Sequence, residues 1–213
     1  MKDYARYAYE NITPTAYPAK LVSYLANRWG IESGPKTWIM DAGCGRGDFA
    51  RALVKAGFAV VGFDQSDYCL SYLDQPHRFI QANLEEPWPM DDKLLRVVFF
   101  KSVLEHLFMP ELALDEAHRT LETRGRVIVL VPPYNRSFWD DPTHRSPFTM
   151  EKLWEMLDWC GFTEIEVERF YQVPLLWKHP WFRPFLSVPI VSSRVLNRHL
   201  DRSPMILGSG VKK

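Results

Sequence analysis

Neither sign of charge prevails in this chain, with 26 lysines and arginines against 26 aspartates and glutamates. A balanced chain sets up no broad field to draw it onto nucleic acid, and no nucleic-acid partner is expected. Cysteine is scarce. Cys44, Cys69 and Cys160 are odd in number, far apart and form no C-x-x-C pair. That argues against a disulfide framework and a structural zinc site, and it suits a reducing compartment. No apolar run reaches roughly 18 residues, the length of a membrane span, and the first residues lack the apolar core of a secretory signal. A cytoplasmic protein is the expectation. The Gly-Lys-Ser/Thr of a phosphate loop is missing too. A length of 213 residues fits one α/β domain with decorations.

What the chain does contain is a strand, a glycine turn and a helix written into Trp38-Ile-Met-Asp-Ala-Gly-Cys-Gly-Arg-Gly-Asp48. Trp38, Ile39 and Met40 form an apolar run suited to a buried parallel strand. Asp41 follows, then glycine at every second position (Gly43, Gly45, Gly47), and Phe49, Ala50, Leu53 and Val54 take up helical spacing. Such a turn brings backbone amides to the carboxyl edge of a sheet, where open α/β folds bind ligands. Glycine is needed where the backbone passes close to a ligand or adopts positive φ. Counted from Gly43, the dinucleotide fingerprint G-x-G-x-x-G would require glycine where Asp48 stands, which disfavours a nicotinamide-dependent oxidoreductase. A tight βα turn without a ligand is the plain alternative.

The spacing Asp-x-Gly-x-Gly-x-Gly resembles motif I of the class I S-adenosylmethionine (SAM)-dependent methyltransferases. The resemblance implies that Asp41, with the backbone of Ala42, Gly43, Cys44, Gly45 and Gly47, holds the methionine end of the cofactor. Other features follow in chain order. Phe58 to Phe63 reads as a second strand ending in Asp64, 17 residues beyond Gly47. The two oxygens of a carboxylate match a vicinal diol, so Asp64, with Gln65 beside it, is the ribose candidate. Arg78 to Ala82 makes a third strand followed by Asn83 and Leu84. The family usually carries Asp at the first of these positions to hold the adenine; Asn still offers a carbonyl acceptor. Leu95 to Phe100 is an unbroken apolar fourth strand. Lys101-Ser-Val-Leu-Glu-His-Leu107 then resembles the Val-Leu-Glu-His signature of one large methyltransferase subgroup. Lys101 joins the cofactor set, and His106 is either a general base or a brace for the cofactor loop.

Glu111 to Leu121 has the pattern of an amphipathic helix and Arg126 to Val131 that of a fifth strand, with Gly125 as the turn before it. Val131-Pro-Pro-Tyr134 looks like the base-stacking motif of DNA amino-methyltransferases, but it follows the wrong strand and lacks the leading polar residue. Asp140-Asp-Pro-Thr-His-Arg-Ser-Pro-Phe-Thr149 leads into a helix through Leu153 and Leu157, capped by Thr149 and closed by Gly161. This loop resembles a segment of small-molecule methyltransferases, several of them associated with glycan or lipid-linked substrates. The resemblance makes His144, Asp141 and Arg145 candidates for acceptor contact, with His144 ahead of His106 as base. A turn whose Asp and Thr bond their own backbone is the alternative. Asp140, Asp141 and His144 lack a further clear partner as metal ligands, and no metal is expected. Thr163 to Tyr171 alternates as a sixth strand, and Met205 to Val211 resembles the family's final antiparallel strand.

Two decorations flank this core. Residues 1–36 read as a helical N-terminal cap rich in tyrosine, and residues 173–203 as an insertion broken by four prolines. Trp177, Trp181, Phe182 and Phe185 are too apolar for a solvated loop, and Arg194, Arg198 and Arg202 recur at i, i+4 and i+8. A lid or substrate wall, a peripheral membrane contact through 177–202 and a homodimer contact all stay open. The expected fold is α/β and Rossmann-like: a seven-stranded, mostly parallel sheet with one antiparallel strand and helices on both faces. Residues 37–172 with 204–213 form its core. The implied activity is methyl transfer from SAM, leaving S-adenosylhomocysteine (SAH), to an oxygen or nitrogen of a small-molecule, glycan or lipid-linked acceptor. A non-catalytic SAM-binding or scaffold protein is the other reading.

Overall fold

The computed structural model describes residues 17–71, 78–170 and 205–213. Tyr4, Tyr7 and Tyr9 of the expected cap, and the whole 173–203 insertion, lie outside the described residues.

A seven-stranded sheet organises the chain. Its strands are β1 (Trp38–Ala42), β2 (Ala59–Asp64), β3 (Phe79–Gln81), β4 (Leu95–Lys101), β5 (Leu121–Val131), β6 (Thr163–Phe170) and β7 (Met205–Val211). They lie in the order β3-β2-β1-β4-β5-β7-β6. Every pairing from β3 through β5 is parallel, while β7 runs antiparallel to both β5 and β6. The chain reverses direction of growth after β3, so the carboxyl ends of β1 and β4 diverge around a switch point, the usual ligand position in an open α/β sheet.

Alternation along the strands sends side chains to two cores. Met40, Val98, Phe100, Val127, Val129 and Ile206 face one side, where helices α3 (Pro110–Thr120) and α4 (Met150–Trp159) bury Ala113, Leu114, Leu153 and Leu157. Ile39, Val60, Val97, Phe99, Ile128 and Leu207 face the other, against α1 (Tyr17–Arg28) and α2 (Asp48–Lys55). A sheet covered on both faces needs strands that are apolar at nearly every position, as β1 and β4 are.

The element ends follow from local chemistry. Thr149 caps α4 by accepting from the amide of Lys152 at 3.1 Å. Pro110 opens α3, where its missing N–H costs nothing. The fifth strand starts five residues earlier than the sequence pattern suggests, at Leu121, which pairs with Leu95 across an irregularity before Arg126 meets Val97. That break keeps Glu122, Thr123 and Arg124 at the solvent side of the ladder, so their polarity does not end the strand. Tyr17 and Tyr24 of α1 are packing residues, edge-on to Phe49 at 5.8 Å between ring centroids and against Phe170 at 5.6 Å.

Candidate active site

The glycine turn lies where β1 ends and α2 begins. The amides of Gly43 and Cys44 both donate to the Phe63 carbonyl, at 2.7 and 3.0 Å, which ties the turn to the end of β2. Gly43 has φ of 71°, and a Cβ there would come within 2.4 Å of Val103 Cγ2. Only glycine fits, because both the left-handed backbone and the close approach of the loop after β4 exclude a side chain. Arg46, 5% exposed, folds back onto Asp48 with its Nη2 2.7 Å from Oδ2, while the Arg51 guanidinium grips the other oxygen of that carboxylate. Sequence reasoning passed over Arg46; a charged residue inside a glycine run was the available signal.

Asp41 is 3% exposed, and its Oδ2 is buried without a hydrogen-bond donor. Burial pushes its carboxyl up to about 7, opposed by a backbone bond from Ala50, and the Asp64 charge adds to the rise. A buried acceptor left in this state is suited to a cationic or hydrogen-bond-donating ligand. Asp64 at the end of β2 has one oxygen accepting from the Gly45 amide (2.8 Å) and the other from the Ser66 amide (2.9 Å). It therefore latches the glycine turn to β2. Gln65 is exposed, and its carbonyl accepts from Gln81 Nε2. Asn83, just past β3, accepts from the Glu85 amide through Oδ1 and points Nδ2 at Glu86 Oε1, 3.3 Å away. Leu84 is buried, with its carbonyl taking the Trp88 indole N–H. Ala42 and Cys44 are buried in the turn. Lys101 closes β4, its Nζ 5.8 Å over the Phe49 ring; burial holds its pKa down, while Glu105 and Asp41 pull it up.

The structure brings together two segments that are far apart in sequence. Glu105 and His106 sit in a single helical turn after β4 (Leu104–His106), and the 140–149 loop is hung on that turn. The amides of Arg145 and Ser146 both donate to the Glu105 carbonyl, at 2.7 and 3.1 Å, and Ser146 Oγ donates to the Leu107 carbonyl. His106 and His144 consequently stand with ring centroids 5.0 Å apart.

Their hydrogen bonds fix the tautomers. His144 Nδ1 is 2.6 Å from the Phe138 carbonyl, which can only accept, so the proton is on Nδ1 and the lone pair on Nε2. Thr143 donates its hydroxyl proton to Asp141 Oδ1 at 2.5 Å, so it must accept from His106 Nδ1 at 2.9 Å. His106 Nε2 carries the lone pair as well. Burial, then the neighbouring His144, lowers the His106 pKa to about 4, keeping that ring neutral. Asp141 Oδ2 lies 3.9 Å from His144 Nε2. Glu105 is 1% exposed and pushed up to about 8 by burial, with Oε1 at 4.0 Å from His106 Nε2 and Oε2 buried without a partner.

His144, His106 and Asp141 lie close together, whereas Arg145 is exposed and bonds the carbonyls of Pro142 and His144. Among the described residues, Asp140 takes no part in a ligand cluster; Glu105 stands in its place beside the two histidines. Glu105 and Thr143 were missed as site residues. Their signal was polarity where apolar spacing or a turn role already offered an explanation.

Residues 40–129 match the family described as "Methyltransferase domain". Solved structures share the fold. A SAM-dependent methyltransferase from Archaeoglobus fulgidus superposes with a TM-score of 0.66 at 20% identity, covering 92% of this chain and 94% of that one. Phosphoethanolamine N-methyltransferase 2 of Haemonchus contortus, solved with SAM, gives 0.66 at 20% identity over 98% of this chain and 56% of its own. The 1,6-didemethyltoxoflavin-N1-methyltransferase of Burkholderia thailandensis, solved with SAH, gives 0.62 at 18% identity over 92% and 77%. The sheet order and the domain match over residues 40–129 agree with the Rossmann-like methyltransferase fold that the sequence leads one to expect. No helix among the described residues is long and apolar enough to cross a membrane.

Proposed function

We propose that this methyltransferase methylates a hydroxyl or amine of a small-molecule, glycan or lipid-linked acceptor seated against the 140–149 loop. The observation that carries this reading is the pair of imidazoles, His106 and His144, whose Nε2 atoms both offer lone pairs beside the loop. A site lined with acceptors suits a nucleophile that arrives with its proton attached.

In this reading Asp41 and the turn from Ala42 to Gly47 hold the methionine end of SAM, where the unpartnered Asp41 oxygen and the space kept open by Gly43 fit a cationic ligand. Asp64 and Gln65 take the ribose, Asn83 and Leu84 the adenine, and Lys101 closes the site at the end of β4. SAM, when bound, supplies a methyl group on a sulfonium leaving group, so the chain contributes alignment and exclusion of water. His144 takes the acceptor proton at Nε2, and the Asp141 carboxylate 3.9 Å away stabilises the imidazolium. His106, held neutral, orients the nucleophile by accepting a hydrogen bond.

Calorimetry with SAM and SAH on wild type, Gly45→Arg and Asp64→Ala tests the cofactor site. Binding by wild type that disappears in both folded variants is the expected result; a well-folded wild type that binds neither compound overturns the reading. Methyl transfer to hydroxyl and amine acceptor panels should then fall about 10²–10⁴-fold in His144→Gln, the range for losing a general base.

A further inference from the structure

We propose that Glu105, His106 and His144 form a binding site for one divalent first-row transition cation of the zinc type. Each residue offers one ligand atom, and these three atoms lie within 4.8 Å of one another. Three atoms that close leave a point no more than about 2.8 Å from all of them (4.8 Å divided by √3). Zinc binds nitrogen and carboxylate oxygen at about 2.0–2.2 Å, so small side-chain rotations complete the coordination.

Three independent features point to a cation. First, both imidazoles are held as ligands are usually held: each Nδ1–H is spent on an oxygen, the Phe138 carbonyl for His144 and the Thr143 hydroxyl for His106. The Thr143 hydroxyl is itself oriented by Asp141. Such outer partners fix the ring and direct the Nε2 lone pair inward. Second, Glu105 is a buried carboxylate with an oxygen that no donor satisfies. A carboxylate in that position is costly unless it is paired or coordinates a metal. Third, the backbone holds the two segments together through the Glu105 carbonyl, which accepts from Arg145 and Ser146. The ligand set therefore exists before any cation arrives.

The donor set selects the metal. Two imidazoles and one carboxylate suit zinc, manganese, iron, cobalt or nickel, whereas magnesium and calcium prefer oxygen. Three protein ligands also leave a coordination position open. Coordination would turn the imidazoles from proton acceptors into ligands and bring an acceptor hydroxyl to the cation. Its proton would leave to solvent, its oxygen would form the new C–O bond, and the C–S bond pair would remain on sulfur.

The site rests on its own geometry, and its test is separable from SAM binding. Full-length protein stripped with chelator is titrated with Zn²⁺ by calorimetry and with Co²⁺ by visible absorption. One saturable equivalent is expected, weakened by roughly a hundredfold or more in Glu105→Gln and in His144→Gln. No saturable binding, or binding that neither variant changes, overturns the proposal. Should a variant fail to fold, proton NMR of Co²⁺-loaded wild type decides: two exchangeable, hyperfine-shifted Nδ1–H signals support the site, and their absence refutes it. Retained SAM binding without metal binding would leave the methyltransferase reading intact and remove only this inference.

Discussion

Replacing Asp41 with asparagine should stabilise the ligand-free protein while weakening SAM binding. The carboxyl is raised from 3.8 to about 7, chiefly by burial. About three pK units at 1.36 kcal/mol each put the cost of ionising it in the folded state near 4 kcal/mol as a ceiling. Asparagine removes that charge but places an amide N–H₂ in a pocket where one oxygen is already unpartnered, and an unmet donor costs about 1–3 kcal/mol. A net gain of about 2 kcal/mol remains, or about 4–8 °C in Tm for a chain of this size. The folded-state pKa lies above the unfolded value, so between about pH 4 and 7 the folded protein holds a proton that the unfolded chain has released. Wild-type stability through this group therefore falls as pH rises across that window and levels off above it; the variant lacks the slope. Thermal melts at about pH 5 and about pH 8 measure the difference. Calorimetry at the higher pH should show SAM affinity down by about tenfold or more, the equivalent of one charge-assisted contact. A variant that melts below wild type at the higher pH, or whose pH slope is as steep as that of wild type, would refute the reasoning.

Two further substitutions probe the frame of the site. Gly43→Ala should cost about 3 kcal/mol, from positive φ and a Cβ driven to 2.4 Å from Val103; adding Val103→Ala should return the steric part alone, as a double-mutant denaturation cycle would show. Arg119 binds the carbonyls of Trp88 and Met90 and the carboxylates of Asp92 and Glu116. Arg119→Ala should lower stability by about 1–3 kcal/mol in urea melts and leave SAM affinity unchanged, because it secures the loop after β3 from the rear.

What the sequence made legible was local. The Trp38–Asp48 stretch states its own strand, turn and helix, since each part depends on neighbours a few residues away. Asp64 could be placed by spacing alone, because one short helix and one strand separate it from Gly47. The histidine cluster was only half legible. His106 and His144 were singled out, but the bonds that join them run through the Glu105 carbonyl and the Thr143 hydroxyl, across 37 or more positions of chain. Spacing carries no information about such contacts. The start of β5 was misjudged for a related reason: Leu121 belongs to the strand through its partner Leu95, and its own polar neighbours argue the other way.

The position of β7 bears on how the protein is made. The last strand inserts between β5 and β6 and pairs along both, from Arg126–Val211 to Val131–Ile206 on one side and from Thr163–Val211 to Phe170–Met205 on the other. Until residues 205–211 leave the ribosome, β6 has no neighbour and β5 presents a long, bare apolar edge. An open edge of this kind invites pairing with other chains. The β3-to-β5 half can pair as it is made, whereas β6 joins the sheet only once residues 205–211 are available. A nascent chain stalled before Met205 is the form of this protein most exposed to aggregation and most in need of a chaperone.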